Sequence, residues 1–156
     1  MNKEILTIVG SWIICGYFCW RYIPRDRKRL AHLSFLFAQA FLWIFEYLQI
    51  SLGIITFPVR EFYFATKMSF SLHYFIYPTF FMFFIILFPK KKEKKKILLH
   101  YTLFSIAAPT YNQIIEKTTS LLQFHHWNFF LSVLSTFIIL LITKKFICWF
   151  QQGEWP

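Results

Sequence analysis

Thirteen of the seventeen lysines and arginines sit in three short clusters, at residues 21–29, 90–96 and 144–145, and the clusters fall at alternate ends of five long apolar runs. No charged side chain occurs in residues 68–89, 97–115 or 118–143. About 20 apolar residues cross a hydrocarbon core roughly 30 Å thick, so each of these stretches is long enough to span a membrane. Residues 5–20 and 30–55 complete the set, the latter interrupted only by Glu46.

Because lysine and arginine accumulate in cytoplasmic loops, the clusters orient the chain as well as classify it. The reading is an all-α membrane protein, a bundle of five transmembrane helices in a single domain over residues 1–156. The spans run over residues 5–22, 31–51, 69–88, 97–116 and 127–143, with the N-terminus outside and the C-terminus inside. Only Lys3, Arg60, Lys67 and Lys117 fall on the other side. Composition agrees: 57% of the residues are hydrophobic and 15% charged, against roughly 45–50% and about 25% in soluble domains.

A net charge of +10 attracts phosphate in general, but these charges flank spans and there is no soluble domain to carry a nucleic-acid recognition element. Their expected partners are the lipid bilayer and the anionic headgroups of its cytoplasmic face. The first run has basic residues after it and no small-residue cleavage pattern, so it is read as a retained helix rather than a signal peptide. Cys15, Cys19 and Cys148 lie in or beside spans without paired spacing and are read as packing residues.

Residues 57–67 are expected to form a short helix at the outer interface between spans 2 and 3, the other reading being an irregular aromatic-rich loop. Pro58 suits a first helical turn, and Phe57, Val59, Phe62, Tyr63 and Phe64 surround Arg60 and Glu61, as in helices that lie in a membrane interface. The tail from Phe146 is expected to lie along the inner surface or to fray.

Ionisable groups within a span are costly and are candidates for function by default. His32, Gln39 and Glu46 recur every seven residues on span 2, with Gln49 one turn beyond, which keeps them near one helical face. Glu46, His73 and Asn112 each lie fifteen residues from the inner end of their span, about 22 Å deep at a rise of roughly 1.5 Å per residue. Tyr77 shares a face with His73, and Glu116 with Asn112. Pro78 and Pro109, just below this level, are expected to kink spans 3 and 4 and free the carbonyls of Tyr74 and Ser105.

Two readings of this layer compete. In one, Glu46 hydrogen-bonds His73 or Asn112 and pins helices together. In the other, an outward-facing cavity lets Glu46 exchange a proton or bind a cation. Glu46, His73, Glu116, His125 and His126 are metal-ligand types, but their spacing matches no metal motif, and no metal or cofactor is expected. No nucleophile triad or phosphate loop appears; an embedded His and Glu could do acid–base work, but no substrate geometry can be named, so the sequence leans against an enzyme without deciding it. Thr7, Ser11 and Cys15, like Ser132 and Thr136, recur every four residues and are read as close-packing positions.

Phe57-Pro58-Val59-Arg60, then Ser69-Phe70 and Tyr77-Pro78, together with Glu116, residues 121–127 and residues 144–149, resemble a family of small uncharacterised multi-pass membrane proteins of endospore-forming Gram-positive bacteria. The resemblance covers most of the chain through loose motifs. It implies a compact helical fold in the bacterial plasma membrane and supplies no activity or catalytic residue. One departure is His73-Tyr74, where an acidic residue is expected before the Tyr-Pro pair. The functional expectation is an interaction or assembly role, with a membrane-protein partner or a second copy. The alternative is a proton- or cation-linked transporter, channel or lipid-handling protein that uses the Glu46 layer.

Overall fold

The computed structural model describes residues 2–89 and 93–151. The elements in chain order are α1 (Asn2–Tyr22), a 3-10 turn (Arg25–Arg27), α2 (Lys28–Ser51), β1 (Ile55–Thr56), a π-helical turn (Leu72–Ile76), α3 (Tyr77–Ile86), α4 (Lys94–Thr118), β2 (Gln123–Phe124) and α5 (Phe129–Phe150). Lys90, Lys91 and Lys92 of the second basic cluster, and tail residues 152–156, lie outside the described residues.

Three helical stretches, Lys3–Tyr22, Arg25–Ser51 and Phe129–Phe150, are long and apolar enough to cross a membrane. The other two expected spans are helical but different in kind. The apolar stretch Leu72–Ile86 reaches about 22 Å at the rise of a helix, short of a full hydrocarbon core. Helix α4 is long, but three lysines in its first turn and polar residues along its length dilute its apolar character. Thr102, Thr110 and Thr118 on α4 donate to the carbonyls four residues back, which satisfies these exposed hydroxyls within the helix itself.

Helix α3 forms the centre. Pro78 sits at its start, and Tyr77, Thr79, Phe81, Met82, Phe84, Ile85 and Ile86 are all buried. A helix apolar on every side belongs in an interior, and α3 packs most extensively on α2 while also touching α4 and α5. Helix α5 lies chiefly along α4, and α1 meets the bundle mainly at the π-helical turn. There Trp12 stacks on Phe75 with ring centres 4.3 Å apart.

The end of α2 is fixed by backbone geometry. Gly53 adopts φ +68°, the Gly53 N–H bonds the Ile50 carbonyl and the Ile54 N–H bonds the Gln49 carbonyl. This is the paired closure that a left-handed residue after a helix permits.

Residues 57–67 do not form the expected interfacial helix; they form turns. Arg60 explains why. Its guanidinium donates to the carbonyls of Thr66, Phe57 and Tyr63 at 2.6, 2.8 and 3.1 Å, and a helix would not gather those three carbonyls around one side chain. Glu61 acts at the same place. Its carboxylate receives the N–H groups of Phe70 and Ser71, both at 3.0 Å, and the Ser69 hydroxyl. A negative charge on free N–H groups at a helix start is favourable, so the loop is tied to the element it precedes.

Two further corrections concern boundaries. Helix α5 begins at Phe129 rather than residue 127 and continues through Phe150, so the stretch from Phe146 to Phe150 is helix rather than a surface tail. The two β-strands were not expected. They pair antiparallel, Ile55 with Phe124 and Thr56 with Gln123, and join the loops after α2 and α4.

Candidate functional site

The structure brings Glu46 and His73 into direct contact. His73 Nδ1 lies 2.9 Å from Glu46 Oε2, with His73 fully buried and Glu46 5% exposed. One reason they meet is the π-helical turn over Leu72–Ile76. An extra residue in that turn rotates His73 relative to the α-helix that follows, and such bulges relieve strain where a proline interrupts the ladder. Pro78 thus produces a bulge above it. Gln39 Nε2 donates to the Tyr74 carbonyl at 3.4 Å, which gives Gln39 on the span-2 stripe a definite task. Helix α4, by contrast, runs through Pro109 unbroken. Ser105, four residues before it, keeps a buried hydroxyl with no partner among the described residues.

Asn112 does not bond Glu46. It accepts a hydrogen bond from the buried Tyr77 hydroxyl at 2.8 Å, so these polar groups form two pairs, both made by the helical stretch Leu72–Ile86. Glu116 turns instead to the loop, where it accepts the Phe124 N–H at 3.1 Å. Gln49 is buried beside Glu46. His32 lies apart from the layer, exposed near the start of α2 with its Nδ1 3.3 Å from the Lys28 carbonyl. Among the described residues no group of three or more His, Cys, Asp or Glu side chains could hold a metal ion. His125 pairs with the Thr56 hydroxyl at 2.9 Å, which braces the β1–β2 connection, and His126 is exposed.

A cavity of about 70 Å³ adjoins the layer, lined by Glu46, Gln49, Tyr77, Asn112, Ser132 and Thr136 among others. That is room for a few waters. Ile55, Phe57, Phe124 and Trp127 line it on the loop side, and apolar surface predominates over polar in its walls. Ser132 and Thr136 were read only as packing positions. Counted from the inner end of the fifth stretch at residue 143, they lie eleven and seven residues up α5, about 16 and 10 Å, short of the level of about 22 Å counted for Glu46, so the ruler did not single them out.

Both partners are buried, and His73 Nε2 has no hydrogen-bond partner among the described residues, so the 2.9 Å contact with Glu46 is the side-chain hydrogen bond that fixes the imidazole.

At the other end the basic clusters also make specific contacts. Arg27 donates to the Ile86 carbonyl at 3.2 Å, the favoured place for a cation at a helix C-terminus. Lys144 Nζ sits 4.0 Å from the centre of the Phe88 ring, and His100 Nε2 lies 2.9 Å from the Phe84 carbonyl. Helix α1 is held to α4 by Ser11 and the Tyr111 hydroxyl, 2.8 Å apart. Sequence spacing pointed to a small residue at position 11 but not to this bond.

Comparison with protein-family models, curated proteins and solved structures returned no match.

Proposed function

We propose that the chain is a multi-pass protein of a bacterial plasma membrane that works through interaction or assembly, and that its polar layer is an internal lock between helices. In this reading all five helices cross the bilayer, with the N-terminus outside and the basic clusters inside. Helix α3 is short because it is wrapped by its neighbours rather than by lipid. The family of small membrane proteins of endospore-forming bacteria is the kind of protein this describes.

The observation that carries the reading is the direct bond between Glu46 and His73, 2.9 Å long with both side chains buried. A carboxyl that loads and releases protons or cations needs a path to water. Here its partner is a neighbouring helix, and the adjoining space holds about 70 Å³. Polar side chains in membrane bundles serve as this kind of interhelical connection. The outward faces of α1 and α5 remain apolar and exposed, available to lipid, to a second copy or to a partner helix.

The cavity beside Glu46 favours one alternative, a proton- or cation-linked transport or lipid-handling role. Purified protein in proteoliposomes under a pH or cation gradient separates the two. The lock predicts a leak equal to that of protein-free vesicles in both the natural protein and Glu46→Gln. A flux present in the natural protein and abolished by Glu46→Gln would overturn it.

A further inference from the structure

At the basic end, α1 and α2 diverge and leave a cleft of about 710 Å³. That volume lies in the range of roughly 300–1,000 Å³ typical of small-molecule sites. Its walls are graded. Arg25, Lys28 and His32 form one part of the lining, while Ala31, Phe35, Phe75 and Met82 form the rest with Cys19 and Trp20 of α1 and Ile23 just after it. No carboxylate lines it.

The gradient has a structural origin. Trp12 and Ser11 hold α1 against Phe75 and Tyr111, and Phe35 meets Phe75 with ring centres 6.5 Å apart. Beyond these contacts α1 still meets the bundle through Phe18, whose ring centre lies 6.2 Å from that of Phe83, and through Cys15 and Cys19, which pack against the core, while Trp20 is 82% exposed. The chain then turns through Pro24 into the 3-10 turn and α2. Asp26, in the same turn, is exposed and outside the cleft lining.

We infer that this cleft binds one anionic phospholipid, its phosphate between Arg25 and Lys28 and an acyl chain along Phe35, Phe75 and Met82. Charge complementarity selects the occupant: a cationic mouth continuous with an apolar wall fits an amphiphile with a negative head. A soluble anion would leave the wall uncovered, and a neutral lipid would leave the cations unmatched. The inference rests on the membrane placement of the chain but not on the Glu46 lock, so either can fail alone.

The test uses the full chain reconstituted in nanodiscs of equal phosphatidylglycerol and phosphatidylcholine with identical acyl chains, then released for native mass spectrometry. The natural protein is expected to retain one phosphatidylglycerol in preference to phosphatidylcholine. Arg25→Gln with Lys28→Gln is expected to weaken that retention at least tenfold. Arg21→Gln with Lys145→Gln removes the same charge outside the cleft and is expected to leave it unchanged. Lys28→Gln alone, at an exposed position, is expected to weaken it about threefold and keeps the test decisive if the double variant does not fold. Equal retention of the neutral lipid, an unaffected Arg25/Lys28 variant, or displacement of the lipid by millimolar inorganic phosphate would each overturn the assignment.

Discussion

The two ends of the bundle handle polar groups in opposite ways. At the loop end, polar side chains turn inward and find one another: Glu46 with His73, Tyr77 with Asn112, Glu61 with the start of the third helical segment, Glu116 with β2. At the basic end, cations stay at the rim and meet carbonyls or ring faces, as Arg27 and Lys144 do. Directional pairs fix which helices touch. Rim charges orient a chain while leaving its helices free to separate, and it is at that end that α1 and α2 part. Specificity is concentrated at one end and adaptability at the other.

The largest expected effect breaks the inward pairing. Removing one member of a buried pair leaves its partner uncompensated and costs about 3–5 kcal/mol, whereas replacing both with apolar residues is often neutral. Glu46→Leu and His73→Leu should therefore each lower stability by about 3 kcal/mol, and the double variant should recover most of it. Thermal or denaturant unfolding in detergent measures the cycle. Additive losses would mean that the two residues act separately and that the 2.9 Å contact is not a working pair. Equivalent changes among the rim cations should leave unfolding nearly unmoved, which is the other half of the comparison.

What the chain revealed in advance follows the same division. Rim cations announce themselves by clustering, so helix order and the three long apolar helices were legible. A common level for Glu46, His73 and Asn112 was an expectation counted from the rise of a helix alone. For Glu46 the sequence left two candidate partners, His73 and Asn112, and did not choose between them. Whether Asn112 meets Glu46 or Tyr77 depends on helix rotation, and the π-helical turn over Leu72–Ile76 rotates the helical segment that contains it by an amount no periodicity encodes. The loop misled for a related reason. Phe57, Phe62 and Phe64 look like an interfacial helix, but the deciding groups are Arg60 and Glu61, whose partners are carbonyls and N–H groups that carry no side-chain signature.

A smaller effect tests the second pair. Tyr77→Phe keeps the ring, which is buried in the core, and removes the hydroxyl that donates to Asn112 at 2.8 Å. Asn112 also faces the cavity, so water can replace the lost donor. The expected loss is about 1 kcal/mol, the net value of an ordinary hydrogen bond. A loss near that of the Glu46 variants would mean the Asn112 site is dry, and that both pairs form one continuous network.

The smallest effect concerns the loop end's outermost bond. Burial raises the Glu61 carboxyl, but hydrogen bonds from Ser71 and from the backbone of Glu61, Ser71 and Phe70 outweigh it and hold the group below its ordinary value of 4.5. A carboxylate with a depressed folded value contributes stability that is fully present above the unfolded value and lost as pH falls through the folded one. Amide exchange at Phe70 and Ser71 should therefore be slow and pH-corrected rates constant above pH 5, then rise as the solution is taken below about 4.5. Glu61→Gln should show the faster exchange at neutral pH and no acid step. The bond from Arg27 to the Ile86 carbonyl involves no carboxylate, so exchange there should be indifferent to the same acidification. If exchange near Ile86 followed the acid step at Phe70, the two ends would be mechanically coupled through α3, and the contrast between a fixed end and an adaptable one would have to be abandoned.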